Sequence, residues 1–255
     1  MTTTGKTILI TGGGSGIGFA IANKFSQAGA SVIIADIHKE QGESAAKSLK
    51  NTHFIQADVS KKDEIVAMVE EAIHRVGKID VLVNNAGIAR HAKSLELSEE
   101  NWQFSLNLML SGVFYCSQAI GKHMVAHGGG NIINITSINS TIYIPGRLAY
   151  SCSKAAVLTM TKILAAEWAP YHIRVNAVSP GVTFTKLMED AIESGMANET
   201  SYLSRIPLGR FAKPEEIADA CFFISSDQAG YVTGNNLIVD GGWSSYNWID
   251  IEHAE

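Results

Sequence analysis

The chain has 255 residues, 46% of them apolar, and 25 acidic against 20 basic side chains give a net charge of -5. That apolar fraction and the frequent glycine exclude a disordered chain and suit one or two compact α/β domains. Mild acidity without a single-sign charge run argues against a nucleic-acid partner, and no apolar stretch approaches the ~18 residues of a membrane span.

Short apolar runs alternate with longer amphipathic ones. Residues 7–10 read as a buried strand, followed by a glycine-rich turn and a helix over 19–28 that Gly29 stops. A second strand, 31–35, ends at Asp36, and a polar helix covers 39–49. The strand 53–57 ends at Asp58, and 61–76 places Ile65, Val66, Val69, Ala72, Ile73 and Val76 at helical spacing. A fourth strand spans 80–83, and a long helix runs over 99–127 to Gly128-Gly129-Gly130. Then come strand 131–136, helix 150–169, strand 172–178, a helix opened by Pro214 at its first position, and strand 237–239. Strand–helix alternation implies parallel strands with helices on both faces. No linker or internal repeat divides the chain, so 1–255 reads as a single doubly wound domain of about seven strands. Its ligand crevice belongs beyond the carboxyl ends of the strands.

Cys116, Cys152 and Cys221 lack CxxC spacing and read as reduced thiols. With no signal-peptide pattern at the start, they point to the cytoplasm. No Cys/His cluster suggests a metal. His123 and His127 are i, i+4, a spacing that reads as a solvated pair.

The turn Thr11-Gly12-Gly13-Gly14-Ser15-Gly16-Ile17-Gly18 joins the first strand to the first helix. A pyrophosphate there meets unpaired helix N–H groups and the positive end of the dipole, and residues without Cβ let the backbone come close. The spacing of Gly12, Gly16 and Gly18 is wider than GxGxxG, so the strand–turn–helix context carries the reading. Asp36 can accept hydrogen bonds from both hydroxyls of an adenosine ribose and would repel a 2′-phosphate. Neither Ser15 nor Ile37 is basic, which favours NAD over NADP. Asp58 is placed to meet an adenine amino group, or simply to make a strand-end turn.

Three further features resemble the short-chain dehydrogenase/reductase family, whose members have a Rossmann fold. They are Asn84-Asn85-Ala86-Gly87 after the fourth strand, Ser137 after the fifth, and Tyr150-Ser151-Cys152-Ser153-Lys154. Tyr150 and Lys154 share one helix face, where an ammonium favours the phenolate and lowers its pKa. The resemblance implies Tyr150 as general acid/base, Ser137 as the hydrogen-bond partner of the substrate oxygen, and Lys154 on the nicotinamide ribose. It also implies a cofactor groove of Gly12, Ser15, Gly16, Ile17, Gly18, Asp36, Asp58, Val59, Asn85, Ala86, Gly87, Tyr150 and Lys154. By the same resemblance, Pro180, Gly181, Val182 and Thr183 are expected to run beneath the nicotinamide, Thr185 to lie near phosphate and Asn84 to brace the sheet.

One position departs from the family pattern. The helix asparagine expected seven residues past Trp102 and three before Gly112 is Met109, and Asn107 lies about 200° away on a regular helix. Either the proton relay runs through other groups, or a π-bulge at residues 108–110 brings Asn107 into place.

The segment 183–210 is expected to be a mobile lid. His91, Asn139, Tyr143 and Arg147 are candidate pocket groups, and they tilt the reading toward a polar substrate such as a sugar, polyol or hydroxy or keto acid. Trp243, Tyr246 and Trp248 are expected at a subunit contact, and the resemblance implies a homotetramer. The competing reading is an NAD-binding regulatory protein with vestigial catalysis, for which Met109 is the support. An epimerase or dehydratase with tightly held NAD would need a substrate domain for which the chain has little room.

Overall fold

The computed structural model describes residues 3–246. Seven strands form one sheet: β1 (Thr7–Thr11), β2 (Ser31–Asp36), β3 (Thr52–Gln56), β4 (Val81–Asn84), β5 (Gly130–Ile135), β6 (Ile173–Pro180) and β7 (Asn236–Val239). Their order is β3-β2-β1-β4-β5-β6-β7, with every pair parallel. The helices are α1 (Gly16–Gln27), α2 (Lys39–Ser48), α3 (Lys62–Val76), α4 (Glu99–Leu106), α5 (Gly112–Ala126), α6 (Leu148–Trp168), α7 (Lys186–Glu193), α8 (Glu199–Leu203) and α9 (Pro214–Ser225). This is the doubly wound Rossmann architecture read from the sequence. The direction of winding reverses between β1 and β4, which opens a crevice at their carboxyl ends.

The strands read as unbroken apolar runs because both faces are buried. Ile8, Ile10, Val32 and Ile34 pack in one core with Ile21 and Phe25 of α1 and Ile217 and Phe222 of α9. Leu9, Ile33 and Leu82 pack in the other with Ile65 and Val69 of α3, Ile120 of α5 and Leu164 of α6. Each such side chain contributes roughly 1.5–3 kcal/mol on leaving water. Phe25 meets Phe222 edge to face at 5.2 Å, fixing α1 against α9. Trp168 lies so close to Gly121 that a Cβ there would stand 2.8 Å from the indole.

Polar side chains cross the second layer. Asn84 Nδ2 donates to Ser117 Oγ at 2.9 Å and to Asn134 Oδ1 at 2.8 Å, and Asn134 Nδ2 donates to Thr161 Oγ1 at 2.9 Å. Asn84 therefore braces the sheet, as expected, tying β4 and β5 to α5 and α6.

The segment after β6 is more ordered than a loop. Ala212 N–H donates to Val182 O at 2.9 Å and Phe184 N–H to Ala212 O at 2.8 Å, closing the excursion at its base. Within it, Thr185 caps α7 and Asn198 caps α8 through their side-chain oxygens. Its apolar side packs Ile206, Phe211 and Trp243 with Met188, Ile192, Tyr202 and Leu203. Trp243 was expected at a subunit contact; it is buried here against its own chain's Tyr202, because the turn after β7 folds it under the lid. Trp248 lies outside the described residues.

Replacing Asn134 by Ala removes two buried hydrogen bonds, leaving Asn84 Nδ2 with Ser117 alone and Thr161 with its bond to Val157 O at 2.8 Å. The expected cost is about 0.5–1.5 kcal/mol per lost bond, read as a lower midpoint in urea or thermal unfolding. An unchanged midpoint would mean that the network does not brace the sheet.

Candidate active site

The glycine turn begins where β1 stops. Gly12 has φ +64°, and a Cβ on it would lie 2.9 Å from Ala86 Cα. A Cβ on Gly18 would run into Gly12 O, and one on Gly14 would sit 2.9 Å from Asp36 Oδ2. The turn is thus pressed flat between β2 and the segment after β4. Ser15 starts α1 without a side-chain cap and the first turn carries no acid, so its N–H groups face outward and suit an anion. Thr185 Cγ2 lies 3.5 Å from the place a Gly16 Cβ would take, which puts the start of α7 across from the turn.

Two polar groups hold that turn in place. Thr11 Oγ1 accepts the N–H groups of Asn85 at 3.0 Å and Ala86 at 3.2 Å. Asn85 Nδ2 donates to Thr11 O at 3.1 Å and Gly12 O at 2.9 Å. Asn85 was expected to line a cofactor groove; its side chain also braces the turn, because the flattened glycine backbone presents two carbonyls to it. Thr11 was not singled out from the sequence. Its position, ending β1 opposite the NNAG run, was the available signal.

Asp36 closes β2. Its carboxylate accepts Gly14 N–H and His38 N–H, both at 3.0 Å, and so faces the turn. Asp58 accepts the N–H and hydroxyl of Ser60 at 3.0 and 2.7 Å. Burial works against its ionisation, and the Ser60 and Lys61 hydrogen bonds more than offset this, leaving its pKa below the ordinary value. Val59 is buried next to it, its carbonyl against Gly112. Pro180 and Gly181 leave β6 beside β7, with Gly181 N–H donating to Val239 O at 2.9 Å. Val182 and Thr183 pass from there into the base of the lid. A glycine cradle, a helix start without a cap and a carboxylate beyond β2 fit a dinucleotide.

Ser137, Tyr150 and Lys154 converge. Ser137 follows β5 and starts a short 3₁₀ turn, its Oγ accepting Asn139 N–H at 3.1 Å. Tyr150 and Lys154 lie one turn apart on α6, with the ammonium 5.8 Å from the centre of the phenol ring. Lys154 is 4% exposed and donates to Ile135 O at 2.7 Å. Burial lowers its pKa to about 8. Burial also raises the Tyr150 pKa, while a hydrogen bond with Ser137 and the charge of Arg147 pull it down. The expected lowering by Lys154 therefore does not govern the phenol here; desolvation does.

The long helix is interrupted as one of the two alternatives required. Residues Asn107–Ser111 form a π-helical turn between α4 and α5. It does not bring Asn107 inward: Asn107 Oδ1 accepts from Gln103 Nε2 at 2.7 Å on the outer surface. Met109 is 0% exposed and occupies the inner position, and a Cβ on Gly87 would touch its Sδ at 3.3 Å and Lys154 Nζ at 3.5 Å. A thioether and a glycine thus cover the lysine on this side.

Of the pocket candidates, Asn139 is buried beside Ser137 with its Nδ2 unpartnered, and Arg147 Nη2 donates to Tyr202 Oη at 2.7 Å. Burial and the charge of Arg147 both lower the pKa of His91. Tyr143 is exposed. His123 is not the solvated group expected: it is buried and accepts Ile79 N–H at 3.3 Å, far from this site at the opposite end of β4. No metal-holding cluster occurs among the described residues.

The low pKa of Lys154 has a measurable sign. Between about 8 and its ordinary 10.5, the folded protein has released a proton that the unfolded chain keeps. Stability from this residue therefore rises with pH across that window, and the cost of its charge is fully present below it. Lys154→Met should gain most in melting temperature over the wild type at neutral pH, and the gain should shrink toward the upper end of the window. A difference that does not vary with pH would contradict the buried-charge assignment.

Comparison with known proteins bears on the same region. The family model described as enoyl-(acyl carrier protein) reductase matches residues 12–244. The NAD-dependent glycerol dehydrogenase of Listeria innocua is 43% identical over 242 residues, 94% of each chain. The 3-oxoacyl-(acyl-carrier-protein) reductase FabG of Thermotoga maritima is 44% identical, covering 93% of this chain and 97% of its own. A short-chain type dehydrogenase/reductase from Mycobacterium marinum superposes with a TM-score of 0.91 at 34% identity, over 96% of this chain and 98% of that one. With the catalytic-type trio gathered at the crevice and likeness along the whole sheet, this chain belongs to the short-chain dehydrogenase/reductase family of oxidoreductases.

Proposed function

We propose that the chain is an NAD-dependent dehydrogenase/reductase that interconverts a small secondary alcohol and its carbonyl compound. The observation that carries this reading is the convergence of Ser137, Tyr150 and Lys154 at the carboxyl ends of β5 and α6's first turns. NAD, when bound, supplies the nicotinamide that accepts or donates the hydride. The groove residues named above would hold it: Gly12 through Gly18 and Thr185 near the pyrophosphate, Asp36 at the adenosine ribose, Asp58 and Val59 near the adenine. Ala86, Gly87, Lys154 and the run from Pro180 to Thr183 would serve the nicotinamide half.

The protein's own groups handle the proton. Ser137 Oγ donates to the substrate oxygen and fixes its position. Tyr150 gives that oxygen a proton in reduction and takes it in oxidation. The raised pKa of the phenol keeps it protonated and ready to donate before ligands bind. Positive charge from Lys154 and Arg147 favours the phenolate when the direction reverses. The glycerol dehydrogenase relative supports a polar substrate, for which we favour a sugar, polyol or hydroxy or keto acid. A homotetrameric, cytoplasmic enzyme completes the proposal.

Turnover is read from the absorbance of reduced nicotinamide across a panel of polar alcohols and ketones. Tyr150→Phe should lower kcat by about a hundred- to ten-thousand-fold. Retained turnover would sink the acid/base role. Asp36→Asn should reduce the NAD-over-NADP ratio of kcat/KM by about tenfold or more, the scale of relieving a ~1.4 kcal/mol repulsion. An unaltered ratio would place cofactor choice elsewhere.

A further inference from the structure

Arg147 brings a charge to the site whose only use so far is its pull on the Tyr150 phenol. It immediately precedes α6, three residues ahead of Tyr150. Its backbone is held by a parallel bridge to Ala92, with Ala92 N–H donating to Gly146 O at 3.0 Å. Its guanidinium donates to the hydroxyl of Tyr202 on α8, and Tyr202 is itself set by the rings of Phe211 at 6.5 Å and Trp243 at 6.1 Å. Three segments therefore meet at this residue: the stretch after β4, the start of α6 and the lid.

The charge lacks a counter-ion. Arg75, Arg90 and Arg210 pair with carboxylates, and Arg174 donates to three backbone carbonyls. Arg147 has only the neutral Tyr202 hydroxyl, and among the described residues no carboxylate lies within 4.0 Å of it. A guanidinium has five N–H donors, so most of its fork remains open. Next to Ser137, the buried Nδ2 of Asn139 is a second donor without an acceptor. A neutral substrate enclosed here would leave the guanidinium desolvated and unpaired, which is costly. A planar carboxylate matches the fork in two parallel hydrogen bonds, whereas a phosphate dianion asks for more positive charge than one arginine supplies.

We propose that Arg147 anchors a carboxylate of the substrate, so that the preferred substrates are small hydroxy acids and their keto acids rather than neutral polyols. This narrows the dehydrogenase reading and rests on it. The influence of Arg147 on both Tyr150 and His91 agrees with a charge at the mouth of the site.

The test compares α- and β-hydroxy acids with their neutral amides and with glycerol and sugar alcohols. The wild type should favour acids over the matched amides by about 10- to 100-fold in kcat/KM, mainly through KM. Arg147→Gln should erase that preference, Arg147→Lys should keep part of it, and Tyr202→Phe should keep the preference itself. If Arg147 only clamps the lid, Arg147→Gln and Tyr202→Phe will slow acids and neutral alcohols alike, which overturns the anchor. Turnover of neutral alcohols with no preference for acids also overturns the anchor and leaves the dehydrogenase standing. Absence of turnover on the whole panel, with wild type and Tyr150→Phe indistinguishable, overturns both.

Discussion

An ammonium group has been carried out of water and fixed to the last carbonyl of a central strand. Lys154, bonded to Ile135 O at 2.7 Å, is the constraint on which the rest of the site depends. Its one hydrogen bond returns only part of the lost hydration, and the lowered pKa records the remainder. Such a residue is a poor choice for stability and a sound one for chemistry, because a charge in a dry site acts strongly on its neighbours. The phenol of Tyr150 and the hydroxyl of Ser137 are placed around it by two rigid elements, the end of β5 and the first turns of α6.

The crevice is assembled from strand ends in the same way. The reversal between β1 and β4 leaves a gap that the glycine turn fills, and Thr11 and Asn85 lock the turn to β4. Asp36 presses on the turn from the other side. Around these fixed parts only the lid is held mainly by its own small apolar cluster, closed at its base by the Val182–Ala212 pairing. Arg147 links that lid to the catalytic helix, so substrate choice and lid position meet at one side chain.

Much of this could be read from the residues in order. The apolar runs of β1, β2, β4 and β6 are legible because parallel strands are buried on both faces. Tyr150 and Lys154 are legible because helical spacing alone puts them on one face. What escaped depends on contacts between distant segments. The bracing by Asn85 follows from how flat the glycine turn lies, and the burial of Trp243 from where β7 delivers it. The π-turn could be posed as an alternative, yet its outcome could not, since an extra residue per turn decides which of Asn107 and Met109 faces inward. The helices α7 and α8 were hidden by mixed polarity, as expected of short helices packed on one side only.

The central claim is that Tyr150 is an acid weakened by burial, whose phenolate becomes accessible only as positive charge is gathered around it. The most direct measurement is an ultraviolet titration of tyrosinate, wild type minus Tyr150→Phe, with and without oxidised NAD. The account predicts a single phenol that ionises above its ordinary range in the free protein and at clearly lower pH once the cofactor adds its positive charge. A difference spectrum that titrates at the same pH in both states would contradict it.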